Sequence, residues 1–205
     1  MHNVSDDALR AGEYDLSMST DIDVTRKLFT VEEFQRICDV GIFHPDSRYE
    51  LIHGEIIEMP NPTRRHSGRV NKLTRVFTSK LGESVIVCIQ NGMFINEMSE
   101  PKPDVVICKP LPELFGPFEP SPEDVLLLVE ISDTSVRYDT RIKAPLYAKG
   151  GIPEYWILNI PDDVLEVRTD PVGGEYRRIE IYKRGQTIIP QNLSGTSFTI
   201  EELLG

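Results

Sequence analysis

Residues 125–129 (Val-Leu-Leu-Leu-Val) form an unbroken aliphatic run, and it ends in Glu130. A strand with one wet face alternates apolar and polar side chains, so a continuous run predicts a central strand covered on both faces. Pro103-Asp104-Val105-Val106-Ile107 reads as a second buried strand, this one opening with an acid. A carboxylate in such surroundings needs a partner. If the two strands are neighbours, the acids lie within several Å of each other. At ~4 Å and an effective dielectric near 20 their repulsion is about 4 kcal/mol. A divalent cation between them turns that repulsion into binding. Lys143, a short helix further on, completes a trio of charged residues.

The rest of the chain punctuates into α/β order. Residues 1–26 are polar and acidic without a sustained period and read as a mobile arm, leaving 27–205 as one domain. Thr30-Val31-Glu32-Glu33 is a capping box, so a short helix should run to about Cys38 with Val31, Phe34 and Ile37 on its apolar face. Residues 49–52 and 55–59 flank His53-Gly54 as a hairpin, the glycine supplying positive φ. From Arg64 to Leu81, Val70, Leu73, Phe77 and Leu81 recur at helical spacing while Arg65, Arg69, Lys72 and Lys80 line another face. Strands are predicted over 85–90, 93–96 and 103–108, then a proline-rich loop over 110–122. A helix follows over 137–149, with Pro145 delaying its regular part to about Arg141 and Gly150-Gly151 stopping it. Further strands fall over 154–160, 164–168, 176–183 and 187–189. This order of helices and strands gives an α/β fold with a mixed sheet.

Composition narrows the function. The chain has 205 residues and 40% hydrophobic content, enough for a real core, and no apolar run long enough to span a bilayer. Its start lacks the basic flank and apolar stretch of a signal peptide, so a cytoplasmic location and no membrane partner are expected. Cys38, Cys88 and Cys108 have no metal-ligand spacing and read as buried thiols. A net charge of −11 argues against indiscriminate nucleic-acid binding except through a local basic surface, which the 64–80 segment supplies. No glycine-rich phosphate loop or Gly-x-Ser-x-Gly elbow is present, and His2, His44, His53 and His66 all fall in the first third. A nucleotide-driven motor and a serine hydrolase are both disfavoured.

Several segments in order carry a family resemblance: Tyr49-Glu50-Leu51-Ile52-His53-Gly54-Glu55, Pro103-Asp104-Val105-Val106, Glu130-Ile131-Ser132, Tyr138-Asp139 with Lys143 and Tyr147, and Gly151-Ile152-Pro153-Glu154-Tyr155-Trp156-Ile157. Together they resemble the Uma-type restriction endonuclease family, over nearly the whole chain after residue 27. That resemblance implies a PD-(D/E)xK nuclease fold: a restriction-endonuclease-like central mixed β-sheet flanked by helices, with extra β-hairpins. It implies hydrolysis of DNA phosphodiester bonds by an activated water. Asp104, Glu130 and the Ile131 carbonyl would hold Mg(II) or Mn(II), Lys143 would serve the nucleophile, and Glu50 would be an additional acid. His66, Arg65, Arg69 and Lys72 are the expected substrate contacts. Strand alternation sets Ser132 on the Glu130 face, where the fold's usual lysine would stand, so Lys143 replaces it from the helix.

Position alone leaves blander readings open. Asp104 after a proline is also a common turn residue, and Lys143 could simply pair with Glu130. Glu50 could face solvent on an edge strand, His66 could bond at a helix start, and the basic face could be solvated. Tyr155 and Trp156 read as core. Gln90 lies in a strand leading to the site. The competing functional reading is a nuclease-derived nucleic-acid-binding or regulatory module that cuts nothing. A homodimer, laying two basic helices on one duplex, is a fold-level expectation.

Overall fold

A computed structural model describes residues 25–44, 47–110, 120–193 and 195–205. The predicted arm therefore lies outside the described residues up to Val24, as do residues 111–119 of the proline-rich loop.

Helix α1 (Val31–Asp39) begins at the capping box: Thr30 Oγ1 accepts from Glu33 N at 3.2 Å and Glu33 Oε2 accepts from Thr30 N at 3.0 Å. It buries Val31 and Phe34, but Cys38 lies exposed on its outer side, not in a core as the sequence suggests. Strands β1 (Arg48–Ile52) and β2 (Glu55–Met59) form the expected antiparallel hairpin. Both turn residues adopt positive φ, His53 at 53° and Gly54 at 80°, the backbone twist that suits a two-residue hairpin loop. Helix α2 (Arg64–Leu81) follows, its Thr63 cap accepting from His66 N at 3.1 Å, and it buries the predicted Val70, Leu73, Phe77 and Leu81.

Then come β3 (Ile86–Ile89), β4 (Val105–Cys108) and β5 (Val125–Ser132). The segment 93–96 is not a strand. Met93 N and Ile95 N do bond to the carbonyls of Pro101 and Ser99. Pro101 has no N–H to return such a bond, and Ser99 N turns to Asn96 O, so no ladder closes.

After β5 the chain is helical from Val136, earlier than Pro145 suggests: α3 (Val136–Tyr138), a π-helical turn (Asp139–Lys143) and α4 (Ala144–Lys149). Pro145 is the second residue of α4 and follows directly on the π-helical turn. Gly151, at φ 79°, ends the segment. Strands β6 (Glu154–Asn159), β7 (Val164–Val172), β8 (Glu175–Tyr182), β9 (Thr187–Ile188) and β10 (Phe198–Thr199) complete the sheets, and α5 (Ile200–Leu204) closes the chain. Strand β10 and α5 are too short for periodicity to reveal, although Thr199 and Glu202 form a second capping box.

The main sheet has the order β3-β4-β5-β6-β7-β8, with β5 and β6 parallel and the other pairs antiparallel, the mixed sheet expected. Alternate residues feed two cores. Val105, Ile107, Leu127, Val129 and Trp156 pack with α2 and α5, while Val106, Leu128, Tyr155 and Ile157 pack with Leu146 and Tyr147 of α4. This two-sided cover is why β5 reads as a continuous apolar run. Trp156 is fully buried, near-perpendicular to Phe198 at 6.2 Å. Among the described residues no helix is long and apolar enough to cross a membrane.

Glu154 is buried at the start of β6, accepting from Trp156 Nε1 and Gln191 N, both at 2.7 Å. Burial lifts its carboxyl above the usual range, against those two bonds. An acid with a raised folded-state pKa contributes most below its unfolded value and loses that contribution as pH rises through the folded one. Glu154→Gln is therefore expected to gain stability relative to wild type as pH rises above the unfolded carboxyl value, read by urea denaturation. An identical pH dependence in both proteins would contradict this assignment.

Candidate functional site

Pairing of β4 with β5 sets Val105 opposite Val129, which brings Asp104 and Glu130 side by side at one end of the sheet. Asp104 Oδ2 accepts from Ile131 N at 2.9 Å, and Asp104 N donates to Glu130 Oε2 at 3.3 Å. On its other oxygen, Asp104 Oδ1 accepts from Gln90 Nε2 at 3.1 Å and lies 2.9 Å from His66 Nε2. Gln90 reaches it from just beyond β3, in a left-handed conformation at φ 54°. His66 reaches it from the first turn of α2, where the Thr63 cap fixes the backbone.

Glu130 Oε1 accepts from Lys143 Nζ at 2.9 Å and from Tyr147 Oη at 2.8 Å. Lys143 also donates to Glu50 Oε1 at 3.0 Å, and the same oxygen accepts from Lys102 N at 3.1 Å. The lysine thus bridges two acids that come from separate sheets. Its position depends on the π-helical turn, a local widening often found where helices carry functional groups. The turn is held by Asp139 Oδ2, which accepts from Ser132 Oγ and Ser135 Oγ, each at 2.6 Å. Ser132, two residues beyond Glu130 on β5, therefore anchors the segment that carries Lys143.

Glu50, Asp104, Glu130, Asp139 and Lys143 are all buried. Burial pushes the Glu130 carboxyl up to about 8; Lys143 works against this, while Asp104, Asp139 and Glu50 add to it. Burial disfavours the Lys143 ammonium, but Glu130, Glu50 and Asp139 outweigh it and hold the lysine protonated. Burial likewise opposes ionisation of Asp104, yet bonds from His66, Ile131 and Gln90 bring its carboxyl below the usual range. The bond to Asp104 in turn raises the His66 imidazole, burial opposing it.

These groups open into a cleft of about 180 Å³ whose lining includes Arg48, Glu50, His66, Lys102, Asp104, Glu130, Ile131, Asp133, Asp139 and Lys143. The structure thus gathers Asp104, Glu130, Ile131, Lys143, Glu50 and His66. It does not bring Arg65, Arg69 or Lys72 into that lining. Lys72 Nζ lies 3.4 Å from Glu201 O, and Arg69 stands beside the Gly205 backbone. Lys80 bonds to Ser197 O and Glu202 Oε1 at 2.8 and 2.5 Å. Much of the basic stripe on α2 therefore holds the α5 segment down, which the sequence does not disclose because α5 is not visible in it. Glu50, readable as a solvent-facing edge residue, is 1% exposed. Arg48, Lys102 and the anchoring role of Asp139 were not anticipated. Only the four-residue spacing of Asp139 before Lys143 hints at the last.

A six-stranded mixed sheet with helices on both faces and a buried acid–lysine cluster at its end defines a restriction-endonuclease-like α/β protein. The profile of the Uma2 family, described as "Putative restriction endonuclease", matches residues 31–201, and the chain belongs to that family. The fold is similar to a crystal structure described as a putative nuclease of DUF820 from Anabaena variabilis ATCC 29413. The TM-score is 0.70 at 16% identity, covering 86% of this chain and 97% of that one. Among curated proteins no match is found.

Proposed function

We propose that the protein is a divalent-metal-dependent endonuclease that hydrolyses DNA phosphodiester bonds in this cleft. The observation that carries the reading is the buried cluster itself: Glu50, Glu130 and Asp139 surround a single lysine, and Asp104 lies beside Glu130. Burying that many acids around one ammonium is unfavourable in a purely structural role. Family membership supports the same reaction class.

The residues suit a hard cation. Glu50 Oε2 is buried without a hydrogen-bond partner among the described residues, an orphan atom that a cation or its water would satisfy. Among the described residues no three His, Cys, Asp or Glu side chains are placed to hold a metal ion together. Asp104, Glu130 and the Ile131 carbonyl would therefore hold Mg(II) or Mn(II) with water filling the remaining positions, as magnesium prefers. Bound there, the cation would lower the pKa of a water and offset charge on the phosphoryl oxygens.

The chain's own groups do the rest. Lys143, fixed between Glu50 and Glu130, would orient the attacking water and meet developing negative charge with its ammonium. His66 and Gln90 would hold Asp104 ionised and correctly turned. Arg48 and Lys102, which line the cleft, are the cations placed to receive the flanking phosphates. That assignment moves the substrate contacts from the middle of α2 to the cleft rim. It also suits a chain of net charge −11, whose affinity must come from a few local cations.

The test is nicking of supercoiled DNA with Mg(II), Mn(II) or EDTA, comparing wild type with Arg48→Ala/Lys102→Ala. Metal-dependent nicking is expected, with the double variant raising KM about 10–100-fold, the equivalent of one or two charged hydrogen bonds. Activity that persists in EDTA would overturn metal dependence. Silence of the folded wild type on duplex and single-stranded DNA alike would favour the binding-module reading.

A further inference from the structure

Strand β8 is the last strand of the main sheet, paired with β7 along one side and, among the described residues, with no strand along the other. It is eight residues long, and Ile179 and Ile181 are 51% and 48% exposed. Long edge strands with exposed apolar residues recruit another strand unless they are covered or blunted. We propose that β8 is the contact surface of a homodimer, pairing antiparallel with β8 of a second copy about a two-fold axis at Ile179.

The register follows from the sequence. In a two-fold antiparallel pair, opposed residues share a face of the sheet, so the axis must pass through a residue position. With the axis at Ile179, Arg178 faces Glu180, Glu175 faces Lys183 and Tyr176 faces Tyr182, each pair occurring twice by symmetry. Ile179 meets its own copy, and Ile181 lies opposite the stem of Arg177 and diagonal to Ile179. Neighbouring registers lose this match. An axis at Arg178 or Glu180 opposes that charge to itself, and the latter also sets Arg177 against Lys183. An axis at Ile181 sets Arg178 against Arg184. Opposite charges across a strand pair stabilise it and like charges oppose it. The result is one continuous sheet running through both copies.

Arg178 and Glu180 are exposed, so their exchange leaves the fold intact. Sedimentation of the full chain would compare wild type, Glu180→Arg, Arg178→Glu and the double exchange, with circular dichroism as the folding check. A wild-type dimer is expected, weakened at least about tenfold by either single change and restored by the double exchange. A monomeric wild type would overturn the proposal, as would a dimer indifferent to the single changes or a double exchange that fails to restore association.

Discussion

Lys143→Met is expected to lower the unfolding free energy by about 3–5 kcal/mol, the usual cost of removing one partner from a buried ion pair. The side chains of Lys143, Glu50 and Glu130 are 3%, 2% and 5% exposed, so water cannot take over the lost bonds. The two acids respond differently. Glu130 keeps a bond from Tyr147 Oη and can take up a proton, because burial already lifts its carboxyl to about 8. Glu50 keeps only the Lys102 amide, and its second oxygen has no partner among the described residues even in the wild type. Adding Glu50→Gln is therefore expected to recover about half of the loss, a coupling that a double-mutant cycle in urea measures directly. A loss below about 1 kcal/mol in the single variant would mean that Lys143 does not hold these carboxylates together. The same cycle separates the lysine's structural work from its role with the nucleophile, since activity should not return with stability.

Asp104→Asn should give the largest effect on function. The amide keeps the shape, and its oxygen can still accept from Ile131 N, but the charge paired with His66, which the proposed cation would meet, is gone. DNA cleavage is expected to fall at least about 10²–10³-fold, the range for losing one electrostatic element of a preorganised site. Stability near pH 7 should fall as well, because a carboxyl held below its usual range contributes stability above its unfolded pKa, and Mn(II) binding measured by calorimetry should weaken in parallel with activity. Wild-type cleavage by the folded variant would remove Asp104 from the site. Lost cleavage with unchanged Mn(II) affinity would instead make it a positioning group for His66.

The legible parts of this protein were those with a local signature. Thr30 and Glu33 disclose α1, the Val70-to-Leu81 stripe discloses α2, and the aliphatic run before Glu130 discloses a strand buried on both sides. Asp104 and Glu130 stand out for the same reason, as charges where burial forbids idle ones. What stayed hidden depends on partners distant in sequence. The burial of Glu50 follows from Lys143 lying above it, and the basic stripe of α2 is occupied because a five-residue helix at the far end of the chain folds back on it. The segment 93–96 looks like a strand until Pro101 opposite it is taken into account. The π-helical turn leaves no periodicity that a 3.6-residue pattern could detect, although it sets where Lys143 points.

The bridge from Lys143 to Glu50 spans 93 positions of sequence, and that to Glu130 spans 13. Closing so long a loop is entropically costly until the intervening sheet has formed, so the site should assemble among the last features of the fold. An emerging chain has no functional cleft until the segment carrying Lys143 has left the ribosome and found the hairpin made long before it. On the proposed function, catalytic competence is then tied to completion of the tertiary structure, and fragments lacking either the hairpin or Lys143 are expected to be inert.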